Sequence, residues 1–179
     1  MIKESEPLYL FAYGSLIWRP GFSYEQAVRA SVRGYERRFW QASHDHRGTA
    51  ASPGRVVTMV AVPDGSCEGI AYRLDAKDRE AILHALDERE QDGYERTWVE
   101  ALVEKHEASV QALTWMALPG NPSWVGEEPM LALARLIAKR QGPSGSNREY
   151  LLRLHGALVE LGIIDEHIES LVEHVTQFS

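Results

Sequence analysis

Two short stretches of this chain carry residue types that can bind a charged group and move a proton. In the first, Tyr13-Gly14-Ser15-Leu16 directly follows an apolar run that begins at Leu8. A strand ending in Gly-Ser leaves backbone N–H groups without ladder partners, and the glycine lets a ligand approach closely. Such a turn suits a small anion, although four residues of this kind also make an ordinary tight turn. In the second, Leu86-Asp87-Glu88-Arg89-Glu90-Gln91-Asp92-Gly93-Tyr94 crowds acidic side chains at the end of a helical pattern that the glycine closes. The C-terminal end of a helix carries partial negative charge, which disfavours a carboxylate. A carboxylate placed there and also removed from water has a raised pKa and exchanges protons near neutrality. An acidic run is equally the usual content of a solvated helix face, and this argument does not separate Glu88 from Glu90.

Other polar clusters offer less. His44 and His46 flank Asp45 within Gln41-Ala42-Ser43-His44-Asp45-His46-Arg47-Gly48-Thr49, but a third and fourth metal ligand are not evident nearby, so the segment reads as a polar loop. Cys67 stands where a strand begins; lone cysteines are more often small buried hydrophobes than nucleophiles. Gly142-Pro143-Ser144-Gly145-Ser146 precedes a helix yet lacks a phosphate-binding lysine, and reads as a helix-entry loop.

The elements that must position these residues follow from periodicity. Leu8–Tyr13, Arg37–Gln41, Arg55–Val62, Glu68–Leu74, Trp98–Glu104 and Ser109–Ala117 predict about six strands, the last two joined by a short charged hairpin. Asp75–Glu90 predicts a helix capped by Asp75, with Ala81, Ile82, Ala85 and Leu86 recurring at helical spacing. Pro129–Gln141 predicts another around Met130, Leu133, Ala134 and Ile137. Ser146-Asn147-Arg148-Glu149 is a capping-box pattern opening a helix with Tyr150, Leu151, Leu154, Leu158 and Leu161 inward, ended by Gly162. Asp165 caps a last helix with Ile168, Leu171, Val172 and Val175 on its apolar side. Strands early and helices late point to an α+β fold rather than to a parallel βαβ sheet.

Bulk properties narrow the function classes. At 179 residues the chain suits one domain, residues 1–179, able to bury about two thirds of its unfolded surface. Its net charge of −7, with 26 Asp and Glu against 19 Lys and Arg, argues against nucleic acid as a partner. The first residues, Met1 to Pro7, do not read as a signal peptide. The longest nearly apolar stretch, Val56–Val62, falls far short of the roughly 20 residues of a membrane helix. One cysteine cannot form an internal disulfide, so a soluble cytoplasmic protein is expected.

Taken together the segments resemble the ChaC family, the glutathione-specific γ-glutamylcyclotransferases. The matching blocks are Tyr13-Gly14-Ser15-Leu16-Ile17-Trp18 with Pro20 and Phe22; Arg38-Phe39-Trp40-Gln41, Ser43 and Asp45-His46-Arg47-Gly48-Thr49; Pro53-Gly54-Arg55-Val56-Val57-Thr58; Gly69-Ile70-Ala71-Tyr72-Arg73-Leu74; Leu86-Asp87 with Arg89-Glu90 and Gly93-Tyr94; and Gly142-Pro143-Ser144-Gly145 with Asn147 and Glu149-Tyr150-Leu151. Glu68 departs from the pattern, standing where the family usually carries an aromatic residue, which is either a changed pocket wall or a harmless strand-edge change.

The resemblance implies a small mixed β-barrel flanked by helices. It implies that Leu10, Phe11, Ala12, Tyr13, Gly14 and Ser15 bind the γ-glutamyl group and that Glu90, aligned on Leu-Asp-x-Arg-Glu, is the acid/base. The bare turn and the acidic helix end then belong to one site. The implied reaction converts glutathione, a small-molecule substrate, to 5-oxoproline and cysteinylglycine through the substrate's own α-amine, with no cofactor and no metal. Cyclotransfer on other γ-glutamyl amides and noncatalytic γ-glutamyl binding are the alternatives. Arg47, Arg55, Trp124 and Tyr150 are candidates, from charge and aromaticity, for contacting the Cys-Gly half.

Overall fold

The computed structural model describes residues 7–104 and 108–178, so the charged hairpin expected before Ser109 lies in part outside the described residues. The elements run β1 (Leu8–Ala12), a single 3₁₀ turn (Ser15–Ile17), β2 (Gln26–Ser43), β3 (Gly54–Leu74), α1 (Arg79–Arg89), β4 (Tyr94–Val103), β5 (Ala108–Ala117), α2 (Met130–Lys139), the short pair β6 (Gln141–Gly142) and β7 (Gly145–Ser146), α3 (Asn147–Glu160) and α4 (Glu166–Thr176). Strands β1 to β5 close into a barrel in the order β1-β3-β2-β4-β5, with β1 antiparallel to β3 and parallel to β5. The expected α+β mixed barrel with helices is therefore the fold.

The chain forms two compact units. One comprises Ala61–Met116 with the described residues up to Glu36; the other comprises Arg37–Val60 with the described residues from Ala117 onward. In the first unit β1 lies between β3 and β5. Leu8, Leu10, Phe11 and Ala12 are all buried, as are Ala71, Tyr72 and Leu74 on its neighbour β3 and Ala112 and Leu113 on β5. A strand walled on both edges cannot fray, so its end is a fixed point from which a loop can be aimed.

Two strand expectations are corrected. β2 begins at Gln26, eleven residues before the predicted start at Arg37. Arg29, Arg33 and Glu36 break its apolar alternation, and Gly34, at φ +80°, reads as a turn. β3 is one continuous strand where two were predicted. Pro63-Asp64-Gly65 lies inside this unbroken strand, where a Cβ on Gly65 would stand 2.7 Å from Glu36 Cγ and 3.0 Å from the Tyr35 carbonyl oxygen of β2. The helix expected from Asp75 also begins later. Asp75 closes a turn, accepting from the Lys77 N–H at 3.1 Å, and α1 starts at Arg79.

In the second unit α2, α3 and α4 pack on one another through Leu133, Ala134 and Ile137, Leu151, Leu154 and Leu158, and Ile168, Leu171 and Val175. Their ends follow the sequence signals. Ser146 Oγ accepts from the Glu149 N–H at 3.0 Å and Asp165 Oδ1 from the Ile168 N–H at 3.2 Å, both as helix caps. Beyond α3, Gly162 takes φ +68° while the Ile163 N–H bonds the Leu158 carbonyl at 2.9 Å, the reversal that only a left-handed residue permits cheaply. Among the described residues no helix is long and apolar enough to cross a membrane.

Asn147 ties the loop pair to the strands of this unit. Fully buried, it accepts from the Arg55 N–H and donates to the Arg55 carbonyl, both at 2.7 Å. Asn147→Ala strands a buried donor and a buried acceptor together, and is expected to cost about 2–4 kcal/mol in urea denaturation. A loss below about 0.5 kcal/mol would show that water replaces both bonds.

Candidate active site

β1 pairs with β3 from Leu8↔Leu74 to Ala12↔Ile70, after which the chain leaves the sheet at Tyr13 and Gly14. Gly69 on β3 makes that exit possible, because a Cβ there would stand 2.1 Å from the Ala12 carbonyl oxygen. The turn that follows is fastened by a side chain from β3 and by a backbone carbonyl of β5. The Tyr72 hydroxyl donates to the Leu16 carbonyl at 2.9 Å, and the Tyr13 hydroxyl donates to the Trp115 carbonyl at 2.7 Å. Burial pushes the Tyr72 phenol up to about 12, so it stays protonated and remains a donor at any physiological pH. Phe22 and Tyr24 pack on the same ring, with centroids 5.3 and 4.8 Å from it.

The acidic run at the end of α1 is divided by its surroundings. Asp87 is bonded by Arg96 of β4, with Nε to Oδ1 at 2.6 Å, and accepts from the Trp115 indole at 3.1 Å; the Arg96 bond holds its carboxyl below the ordinary range. Glu88 is 69% exposed, with His84 at 3.8 Å across one helical turn. Glu90 is different. It closes α1 as the C-cap, its N–H bonding the Leu86 carbonyl at 2.8 Å, and its side chain is only 19% exposed. Removal from water raises its pKa, and the neighbouring Arg89 guanidinium opposes this without cancelling it. Beyond it Asp92 at φ +62° and Gly93 at φ +92° turn the chain into β4; a short polar side chain is among the few that accept the first of these conformations.

One guanidinium joins the two segments. Arg89 Nη2 donates to Ser15 Oγ at 3.0 Å while its Nε stands 3.5 Å from Glu90 Oε1. The expected binding residues therefore fall into two groups. Leu10, Phe11 and Ala12 are buried core of β1, and Tyr13 is nearly so; Gly14 and Ser15 are half-buried at the turn, on the Arg89 side. Arg89, Gly69, Tyr72 and Trp115 received no role from sequence reasoning. The signal for Arg89 was present, since a basic residue in the last turn of a helix, next to a candidate base, is placed to act on it.

The residues considered for the Cys-Gly half have other engagements in the second unit. Arg55 holds Glu128 through Nε at 2.6 Å, Arg47 holds Glu149 at 3.1 Å while lying over the Tyr150 ring, and Trp124 packs edge-on against Trp40. His46 bonds Ser144 at 3.0 Å and His44 approaches Ser123 at 3.4 Å. Cys67 is buried in β3. Glu68 pairs with Arg29 at 2.6 Å, and Arg29 also meets Glu104 at 3.0 Å, an ion cluster on adjoining strands.

The barrel with its flanking helices is a γ-glutamylcyclotransferase-like fold, and in it Arg89 joins a desolvated helix-end carboxylate to the half-buried turn after β1. The family model of ChaC-like proteins matches residues 8–178, and the chain belongs to that family. It is 36% identical to γ-glutamylcyclotransferase 2-3 of Arabidopsis thaliana, over 94% of this chain and 88% of that protein. It is likewise 36% identical to glutathione-specific γ-glutamylcyclotransferase 1 of Homo sapiens, over 96% of this chain and 80% of that one. The crystal structure of a γ-glutamyl cyclotransferase specific to glutathione from yeast matches with a TM-score of 0.91 at 30% identity, over 97% of both chains.

Because Glu90's pKa is raised, the folded state keeps a proton that the unfolded chain would release in the window between the ordinary and the raised value. Its contribution to stability is therefore fully present below the ordinary carboxylate range and is lost as pH rises through the raised value. Glu90→Gln is expected to melt at or above the wild-type temperature at neutral pH, the difference closing below about pH 4. Thermal denaturation across pH checks this; a variant melting several degrees lower at pH 7 would contradict the burial of an ionised group.

Proposed function

We propose that this protein cleaves glutathione to 5-oxoproline and cysteinylglycine, with Glu90 as the acid/base and Leu10, Phe11, Ala12, Tyr13, Gly14 and Ser15 as the segment that binds the γ-glutamyl group. The observation that carries the reading is the Glu90 carboxylate, drawn out of water and joined through Arg89 to the Ser15 turn. Family membership supports the same reaction class.

The substrate supplies its own nucleophile. The α-amine of the γ-glutamyl unit reaches the γ-carbonyl and closes a five-membered ring, so the enzyme needs no covalent intermediate and gains most by holding the substrate in a folded, near-attack shape. At neutral pH that amine is mostly protonated. The ammonium first gives one proton to solvent; as the freed amine forms the C–N bond, ionised Glu90 takes a second proton from it and returns that proton to the cysteinyl nitrogen as the γ-amide bond breaks, and the released amine then takes up a proton from solvent. The raised pKa suits both halves, because a carboxylate of ordinary acidity would be a poorer proton donor to a leaving amine.

Backbone N–H groups of Tyr13, Gly14 and Ser15 bind the α-carboxylate at the edge of the barrel, and the buried Leu10, Phe11 and Ala12 keep that edge rigid. Neither a metal nor a thiolate has a step in this chemistry. Glutathione as substrate and a single free cysteine both fit a cytoplasmic setting.

The decisive assay follows 5-oxoproline from glutathione, with γ-glutamylalanine run in parallel to measure specificity. Glu90→Gln is expected to lower kcat by roughly 100-fold or more, while Glu88→Gln stays within about twofold. Activity is expected to survive both exhaustive chelation and Cys67→Ser. Wild-type turnover in Glu90→Gln would overturn the assignment of the base, and preference for γ-glutamylalanine would move the substrate to simpler γ-glutamyl amides.

A further inference from the structure

Arg89 does more than neighbour the candidate base. Its Nη1 donates to the Arg19 carbonyl at 2.8 Å and to the Pro20 carbonyl at 3.1 Å, while Nη2 reaches Ser15 Oγ at 3.0 Å. One planar fork thus holds the segment between β1 and β2 at two places, the Ser15 hydroxyl and the Arg19 and Pro20 carbonyls. The next residue, Gly21, takes φ +74°, and a Cβ there would meet Nη1 at an ordinary contact distance of 3.5 Å. The remaining edge of the same guanidinium faces the Glu90 carboxylate at 3.5 Å. With the side chain only 29% exposed, these bonds are partly shielded from water.

We propose that Arg89 is the positioning residue of this site, the side chain that sets both the spacing and the charge balance between the Ser15 turn and the Glu90 carboxylate. This rests on the reading of Glu90 as acid/base given above. A fork can serve several acceptors in one plane, whereas a lysine offers a point charge on a flexible stem, so the two functions of Arg89 are separable by substitution. Of the other charges about this helix end, Asp87 is engaged by Arg96 from β4, Glu88 lies at the solvent face beside His84, and Asp92 follows in the turn into β4. The positive charge acting on Glu90 is that of Arg89, and it limits how far burial raises the carboxyl.

The test is the pH profile of kcat/KM for glutathione in Arg89→Gln and Arg89→Lys, measured beside Glu90→Gln. Arg89→Gln removes the charge, so the acid limb is expected to move up by about one pH unit. Loss of the fork is expected to raise KM about tenfold, the effect of one charge-assisted hydrogen bond. Arg89→Lys restores the charge alone: its acid limb is expected to return to the wild-type position while KM stays raised. A lysine variant matching wild type in KM, or one whose acid limb stays displaced, overturns the proposal, as does a glutamine variant unchanged in both. If Arg89→Gln does not fold, the lysine variant still decides between these outcomes. An inactive Glu90→Gln beside unchanged Arg89 variants sinks the positioning role alone, whereas an active Glu90→Gln sinks the reading of the base.

Discussion

A carboxylate ends a helix in this protein, where the unsatisfied carbonyls already present partial negative charge, and it is four-fifths withdrawn from water. Both conditions penalise the ionised form. The neighbouring guanidinium offsets part of the penalty; at an effective dielectric near 20 a pair about 4 Å apart attracts by about 4 kcal/mol before desolvation. Desolvation still wins, leaving the carboxyl less acidic than usual. Such a group must be held in place by structure that gains its stability elsewhere, and the surrounding elements do this. Asp87 and Arg96 pin the end of α1 to β4, Trp115 joins Asp87 to β5, and Tyr13 and Tyr72 lock the turn that faces it.

Arginines recur as the fasteners in this acidic chain. Arg29 meets Glu68 and Glu104 on adjoining strands, Arg55 takes Glu128, Arg47 takes Glu149, and the buried Arg37 bonds Asp165 at the start of α4 at 2.5 Å. In each pair the planar head holds a carboxylate while the stem packs, a geometry that lysine reproduces poorly. Glu68, the residue that departs from the family pattern, belongs to this set: its carboxylate completes an ion cluster with Arg29. Arg47 and Arg55 are each held by a carboxylate of the second unit.

Local signals carried much of the fold. The caps at Ser146 and Asp165, the stop at Gly162 and the inward faces of α3 and α4 are decided by residues a few positions apart, so the sequence displays them directly. β3 shows the opposite case: Pro63-Asp64-Gly65 has turn chemistry, yet the strand runs unbroken through it against Tyr35 and Glu36 of β2, a packing that no local signal displays. The site divides in the same way. A turn at Tyr13-Gly14-Ser15 and an acidic helix end were legible, but Glu88 and Glu90 have equal local claims to the role. What distinguishes them is exposure, 69% against 19%, together with the fork of Arg89 reaching back to Ser15, and both arise only when α1 meets the chain leaving β1.

Ring closure by the substrate's own amine, rather than hydrolysis, is the central step proposed for this site. Turnover of glutathione in ¹⁸O-labelled water, with the first-formed products identified by mass spectrometry, tests this most directly. Cyclisation consumes no water, so 5-oxoproline is expected to appear unlabelled and in equal amount to cysteinylglycine from the earliest time points. Free glutamate carrying one solvent oxygen as the first product would contradict the account, even if Glu90 proved essential.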